Sequence, residues 1–162
     1  MKRWLLAGTI LVASVFAGFA AEARAETYYE VSQGLLRNLP GDARLRGDLE
    51  AVIFAETNSY RGSKGIGALK ASDQLRDAAR AHAIDMMLNG FVGHKATTGQ
   101  EFDSRMRAFI GNPLMMPRMA ENAARDTQKG EADPAKARRL FQQWVESRPH
   151  RKTLLNSGYT FV

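Results

Sequence analysis

The chain has 162 residues, no cysteine, and a formal net charge of +6 from 23 Lys and Arg against 17 Asp and Glu. The absence of cysteine excludes thiol nucleophiles, disulfides and cysteine-ligated zinc sites from this chain. Acidic and basic residues alternate without a long block of one sign, so we expect no nucleic-acid partner.

The first 25 residues have the order of a secretory signal peptide. Lys2 and Arg3 form a positive start, residues 4–21 are uncharged and largely apolar, and residues 23–25 read Ala-Arg-Ala, a cleavage site. The uncharged run is at the short edge of a membrane span, but the cleavage site favours removal. We therefore expect a secreted or periplasmic protein with no transmembrane helix after cleavage.

Apolar periodicity predicts a helix-rich α+β chain with one domain after the signal peptide. Residues 26–47 form a lead-in for which no element is predicted. The predicted helices cover, in chain order, residues 48–60, 73–89, 102–110, 134–146 and 150–155. Short strands are expected at 122–125 and from residue 158 onward.

Capping residues set the limits of the two best-defined helices. Ser72 can accept a hydrogen bond at the start of the second helix, and Gly90 fits the left-handed position after its end. Asp133 followed by Pro134 is typical of a helix start. Proline has no backbone N–H, and in the first turn of a helix that group would have no helical partner, so nothing is lost there.

Three dispersed residues could form a polar site: His94 in a loop, Glu121, and His150 after a helix break. Two imidazoles and a carboxylate suit a divalent metal, and they equally suit a proton-transfer cluster. Each also has a structural interpretation: His150 as a helix cap, His94 as a satisfied loop histidine, and Glu121 as a surface acid.

Five ordered stretches from Leu49 onward resemble a known family. They are Asn58 to Arg61 with Leu69; Leu75 to Met86; Phe91 to His94 with Gly99, Phe102 and Arg105; Ala120 to Asn122; and Trp144 to Arg151 with Leu154 and Leu155. Together they resemble the CAP superfamily of cysteine-rich secretory, antigen-five and pathogenesis-related proteins, in its bacterial, cysteine-free, SCP-like branch. The resemblance covers residues 48–162.

The resemblance implies an α-β-α sandwich whose central cleft brings His94, Glu121 and His150 together. In several members that cleft binds zinc or another divalent metal, so a metal is the cofactor to expect. Ser147 stands where eukaryotic members have a second glutamate. Glu146 is one residue away, about 100° around a helix, and cannot be assumed to replace it.

Four further residues are expected to support this site. Trp144 completes the apolar stripe of its helix and is interpreted as a core anchor. Asn122 is expected to fix the loop that carries Glu121, and Arg105 to pair with a nearby carboxylate or carbonyl. His82 shares an apolar stripe and is interpreted as a buried structural histidine.

The family's sheet takes strands from the C-terminal part, and this chain stops where the first of them would begin. We therefore expect a C-terminally incomplete domain that is helix-rich because those strands are missing. The favoured function is a non-enzymatic module that binds an envelope or extracellular ligand, lipids included. The alternative is a metal-assisted hydrolase, with His94 and His150 as ligands and Glu121 as ligand or general base.

The signal peptide gives a direct prediction. The exported protein should begin at Glu26, because cleavage follows the Ala-Arg-Ala site. Intact-mass spectrometry of the exported protein checks this, and a mass that still includes Met1 would contradict it.

Overall fold

A computed structural model describes residues 27–39, 41, 43–111 and 118–162. The signal-peptide prediction lies outside this part. The described residues form six helices, which confirms the helix-rich expectation: α1 (Tyr28–Arg37), α2 (Gly47–Ser63), α3 (Asp73–Asn89), α4 (Phe102–Ile110), α5 (Pro134–Glu146) and α6 (Arg148–Leu154). None of the described helices is both long and apolar enough to cross a membrane.

Helix α1 occupies the lead-in, where no element was predicted. Its start is a capping box: Glu30 N–H donates to Thr27 Oγ1 at 3.3 Å, and Thr27 N–H donates to Glu30 Oε2 at 2.7 Å. A threonine followed three residues later by glutamate is a sequence signal for a helix start. The signal was therefore present in the sequence at Thr27 and Glu30.

The predicted caps of α3 and α5 are confirmed. Ser72 Oγ accepts from Leu75 N–H at 3.4 Å, and Gly90 has a φ of 69° after the last turn of α3. Asp133 Oδ1 accepts from Lys136 N–H at 2.8 Å, with Pro134 in the first turn of α5. Because each cap satisfies backbone groups at a helix end, these residues fix where the helices begin and end.

The predicted strand at 122–125 is wrong, because this segment makes no strand pairing. Hydrogen bonds to two helices hold it instead: Asn122 Nδ2 of the segment donates to His150 O of α6 at 3.2 Å, and Gln143 Nε2 of α5 donates to Arg125 O at 3.4 Å. The segment therefore lies against α5 and α6 as an extended loop.

The helices pack in two groups, with α1, α3 and α4 in one and α2, α5 and α6 in the other. Ala78 and Ala81 of α3 pack with Met106 and Phe109 of α4 in the core of the first group. The small alanines let α4 approach α3 closely. The first group also holds the loop that carries His94.

The sheet layer of the expected sandwich does not occur among the described residues. They contain one isolated parallel bridge, between Lys70 and Phe161. Three backbone hydrogen bonds of 2.7 to 2.9 Å join residues 70–72 to residues 160–162. The segment from residue 158 is therefore extended at its end, as predicted, and it pairs with the residues just before α3.

Arg61 holds this end of the chain in place. Its side chain is 1% exposed, and its guanidinium donates to the carbonyls of Gly67, Leu154 and Asn156 at 2.8 to 3.0 Å. Burial lowers the pKa of this guanidinium from its ordinary value, but arginine remains charged in proteins. One side chain of α2 thus satisfies carbonyls from the 64–69 loop and from the end of α6.

Replacing Arg61 should be costly. Arg61→Met removes the buried guanidinium that donates to three backbone carbonyls, so the free energy of unfolding should fall by about 3 kcal/mol. Urea unfolding followed by circular dichroism measures this. Arg107→Met, at an exposed position of α4, is the matched control and should change stability by less than about 0.5 kcal/mol. Equal effects of the two variants would contradict the role assigned to Arg61.

Candidate functional site

The structure places His94 and Glu121 in direct contact. His94 Nδ1 lies 2.9 Å from Glu121 Oε2, and the same oxygen accepts from Arg105 Nη2 at 2.7 Å. Exposure rises along this row: Arg105 is fully buried, the Glu121 side chain is 14% exposed and the His94 side chain is 52% exposed. The row therefore runs from a buried guanidinium, through a carboxylate, to an imidazole at the surface.

This arrangement sets the tautomer of His94. An ionised carboxylate can only accept hydrogen bonds, so Nδ1 must carry the hydrogen that faces Glu121. In the neutral ring, Nε2 is then the acceptor. His94 therefore presents an oriented lone pair that can accept a proton, a hydrogen bond or a metal ion.

Arg105 also fixes the backbone of the His94 loop. Its Nε and Nη2 both donate to His94 O, at 3.2 and 3.0 Å. The remaining nitrogen, Nη1, is buried and has no partner among the described residues. One guanidinium of α4 thus positions both the carbonyl of His94 and the carboxylate that orients its ring.

Helix α3 holds the other parts of the loop. Asp85 accepts from the Thr97 backbone N–H at 2.9 Å and from the Thr97 hydroxyl at 2.5 Å. His82, which is 1% exposed, lies with Nε2 2.8 Å from Gly93 O. Because a carbonyl can only accept, His82 donates through Nε2, and its buried Nδ1 lacks a hydrogen-bond partner in the described structure.

Asp85 and Thr97 are the residues of this network that the sequence interpretation missed. Asp85 lies three residues after His82 and shares its buried face of α3. An acid on the buried stripe of a helix was the available signal, since a buried carboxylate needs donors. The partner, Thr97, could not have been identified from spacing alone.

A cleft lies beside this row, and we call it the Trp144 cleft. Its volume is about 440 Å³, within the range typical of small-molecule sites. Helix α5, its junction with α6 and two loops line it, through Val92, Ala123, Ala124, Arg125, Thr127, Gln143, Trp144, Ser147 and His150. The lining therefore combines apolar side chains with several hydrogen-bonding groups.

Three of the sequence-predicted residues lie here. Trp144, Ser147 and His150 line the cleft, and Asn122 joins it to the Glu121 segment through its bond to His150 O. Trp144 therefore borders an open cleft as well as packing on its helix neighbours. Its Nε1 and the Asn122 Oδ1 are buried without a partner in the part of the chain that the structure describes.

His150 does not join the hydrogen-bonded row of His94, Glu121 and Arg105. Within residues 27–39, 41, 43–111 and 118–162, no group of three or more His, Asp or Glu side chains is placed so that it could hold a metal ion. The donor set is therefore an oriented His94–Glu121 pair with His150 in the adjacent cleft. Metal binding stays a prediction.

The role of Glu121 in this row can be tested by removing the negative charge of its side chain. Glu121→Gln leaves the buried Arg105 without its anion, so the free energy of unfolding should fall by about 3 kcal/mol. Glu101→Gln is the matched control, because Glu101 makes an exposed ion pair with Lys95 at 3.0 Å, worth at most about 1 kcal/mol. Thermal unfolding compares the two, and a similar loss in both would contradict the role of Glu121.

Comparison with known proteins places the chain in a family. A model of the cysteine-rich secretory protein family, CAP, matches residues 54–162. The chain is 30% identical over 114 residues to the uncharacterized protein YkwD of Bacillus subtilis (strain 168). That alignment covers 70% of this chain but only 40% of YkwD, and no solved structure matches. The family match spans most of the chain, including every residue of the row and the cleft: the chain belongs to the CAP family, as a cysteine-free member.

Proposed function

We propose that this protein is an exported, non-enzymatic CAP-domain module that binds a small ligand in the Trp144 cleft. The observation that carries the proposal is the cleft itself, which combines apolar side chains with several hydrogen-bonding groups. Export is supported by the N-terminal sequence, with its positive start, apolar run and cleavage site.

The composition of the cleft suits binding. Val92, Ala123 and Ala124 offer apolar contact, while Thr127 and Gln143 offer hydrogen bonds. Ligand sites in proteins typically combine apolar surface with a few placed polar groups. Trp144 adds a large, rigid ring at low conformational cost.

The contacts of His94 support binding over hydrolysis. A metal-assisted hydrolase needs a metal ion to activate its water, and among the described residues no group of three or more His, Asp or Glu side chains is placed to hold one. The Glu121 oxygen that faces His94 is shared with Arg105 and serves to orient the ring. We therefore assign the row to holding the loop beside the cleft, and the metal-assisted hydrolase is not favoured.

Intrinsic fluorescence gives a direct binding test. The chain has two tryptophans, and Trp4 lies in the predicted signal peptide, so the emission of the protein from residue 26 reports on Trp144. We expect the uncharged probe N-acetyl-L-phenylalaninamide to change this emission saturably, with a Kd on the order of 1 mM. Amide shifts in a titration followed by NMR should concentrate at residues of the Trp144 cleft.

The matched variants for this test change one alanine to leucine. Ala124→Leu fills part of the cleft and should weaken the probe's affinity about tenfold, whereas Ala135→Leu, at an exposed position of α5, should leave it unchanged. Probe binding that neither variant alters, or no saturable binding, would contradict a ligand site in the Trp144 cleft.

The metal prediction has its own experiment. The family resemblance predicts saturable zinc binding that a His94→Ala/His150→Ala double variant loses. Calorimetric titration of both proteins with zinc measures this. No difference between them would exclude a metal site at these residues, and with it the metal-assisted hydrolase, while leaving the metal-independent cleft untouched.

A further inference from the structure

We infer that the Trp144 cleft selects ligands that carry a carboxylate on a small apolar body, and that Arg125 receives that carboxylate. The inference rests on the proposed function and adds the chemical class of the ligand. It depends on the balance of charge around the cleft, which is one-sided.

No acidic residue is among the described residues that line the cleft. Its charged or ionisable members are Arg125 and His150, and the remaining polar members are two hydroxyls, an amide and an indole. A cleft lined by one sign of charge raises the local concentration of ligands of the opposite sign.

Among the described residues that line the cleft, Arg125 is the arginine. Four arginines elsewhere are already committed to ion pairs of 2.6 to 3.0 Å with carboxylates: Arg46 with Asp48, Arg80 with Glu50, Arg138 with Glu56 and Arg139 with Asp126. The Arg125 side chain is exposed and makes no ion pair or hydrogen bond with any described residue. Its charge is therefore available to a ligand.

Three acids of the segments that border the cleft are already engaged. Asp126 accepts from Gln128 N–H at 2.8 Å and pairs with Arg139, and these contacts hold the pKa of its carboxyl below the ordinary value. Glu121 is bound by Arg105, and Glu146 accepts from Gln142. None of these carboxylates neutralises Arg125.

The backbone of Arg125 is anchored although its side chain is unpaired. Gln143 Nε2 of α5 donates to Arg125 O, and Asn122 ties the same segment to α6. The Arg125 side chain therefore extends from an anchored backbone position, in the same cleft lining as Ala123, Ala124 and Trp144. A carboxylate suits it best, because the planar guanidinium can donate two parallel hydrogen bonds to one carboxylate.

The size of the cleft limits the rest of the ligand. A volume of about 440 Å³ holds one aromatic or short aliphatic group beside Trp144 and Val92. N-acetyl-L-phenylalanine has this form, with one carboxylate and one phenyl ring. In its amide an uncharged carboxamide replaces the carboxylate. Phenethylammonium has the same phenyl ring and a positively charged ammonium group.

The experiment titrates these three probes into the protein from residue 26, with Trp144 emission as the readout. We expect the carboxylate to bind about fivefold more tightly than the amide, and the ammonium to bind most weakly. Added salt should weaken binding of the carboxylate and leave the amide unaffected. Phenyl phosphate, as a fourth probe, distinguishes a carboxylate preference from a general preference for anions.

Arg125→Gln should abolish the preference for the carboxylate while amide binding remains. Arg107→Gln is the matched control, since Arg107 is an exposed arginine of α4 outside the cleft, and the preference should survive there. Amide binding without a carboxylate preference, tighter binding of phenyl phosphate than of the carboxylate, or equal effects of the two variants would overturn the inference and leave the proposed function standing. Failure of all the probes to bind would overturn the proposed function as well.

Discussion

The guanidinium of Arg105 is the contact on which the site depends. It is fully buried in the first helix group, and it binds the carbonyl of His94 and the carboxylate of Glu121 at once. A buried charge requires an anion and further hydrogen-bond partners. That requirement brings the 91–100 loop and the 118–128 segment together, since neither belongs to a helix that could place it. The orientation of His94 and the position of the neighbouring cleft both follow.

Arg61 solves the same physical problem in the second helix group without a carboxylate. Its partners are backbone carbonyls from the loop after α2 and from the end of α6. Leu154 is buried, so its carbonyl would otherwise lack a donor, which costs free energy. The two arginines therefore hold non-helical backbone in place. The helices that carry them mainly serve as rigid supports for these side chains. Arg125, in contrast, lies at the surface with its charge unmatched.

Local chemistry made much of the helical fold predictable. Ser72, Gly90, Asp133 and Pro134 act on backbone groups within a few residues, so their effects can be read from neighbouring positions. The capping pair Thr27 and Glu30 belongs to the same class but was overlooked, and α1 was missed with it. The contact of His94 with Glu121 was anticipated from the family resemblance alone. A pairing of Arg105 with a carboxylate or carbonyl was expected, but the complete burial of Arg61 and Arg105 was not, because their partners come from distant segments and an isolated arginine is usually a surface residue.

The pairing of residues 70–72 with residues 160–162, together with the bonds of Arg61 to residues 154 and 156, also bears on when the protein can fold. Contacts between residues about ninety positions apart form slowly, because a long loop must close before they stabilise anything. During synthesis, Arg61 leaves the ribosome long before its acceptors do. The second helix group therefore cannot complete its packing until residues 154–162 have been synthesised.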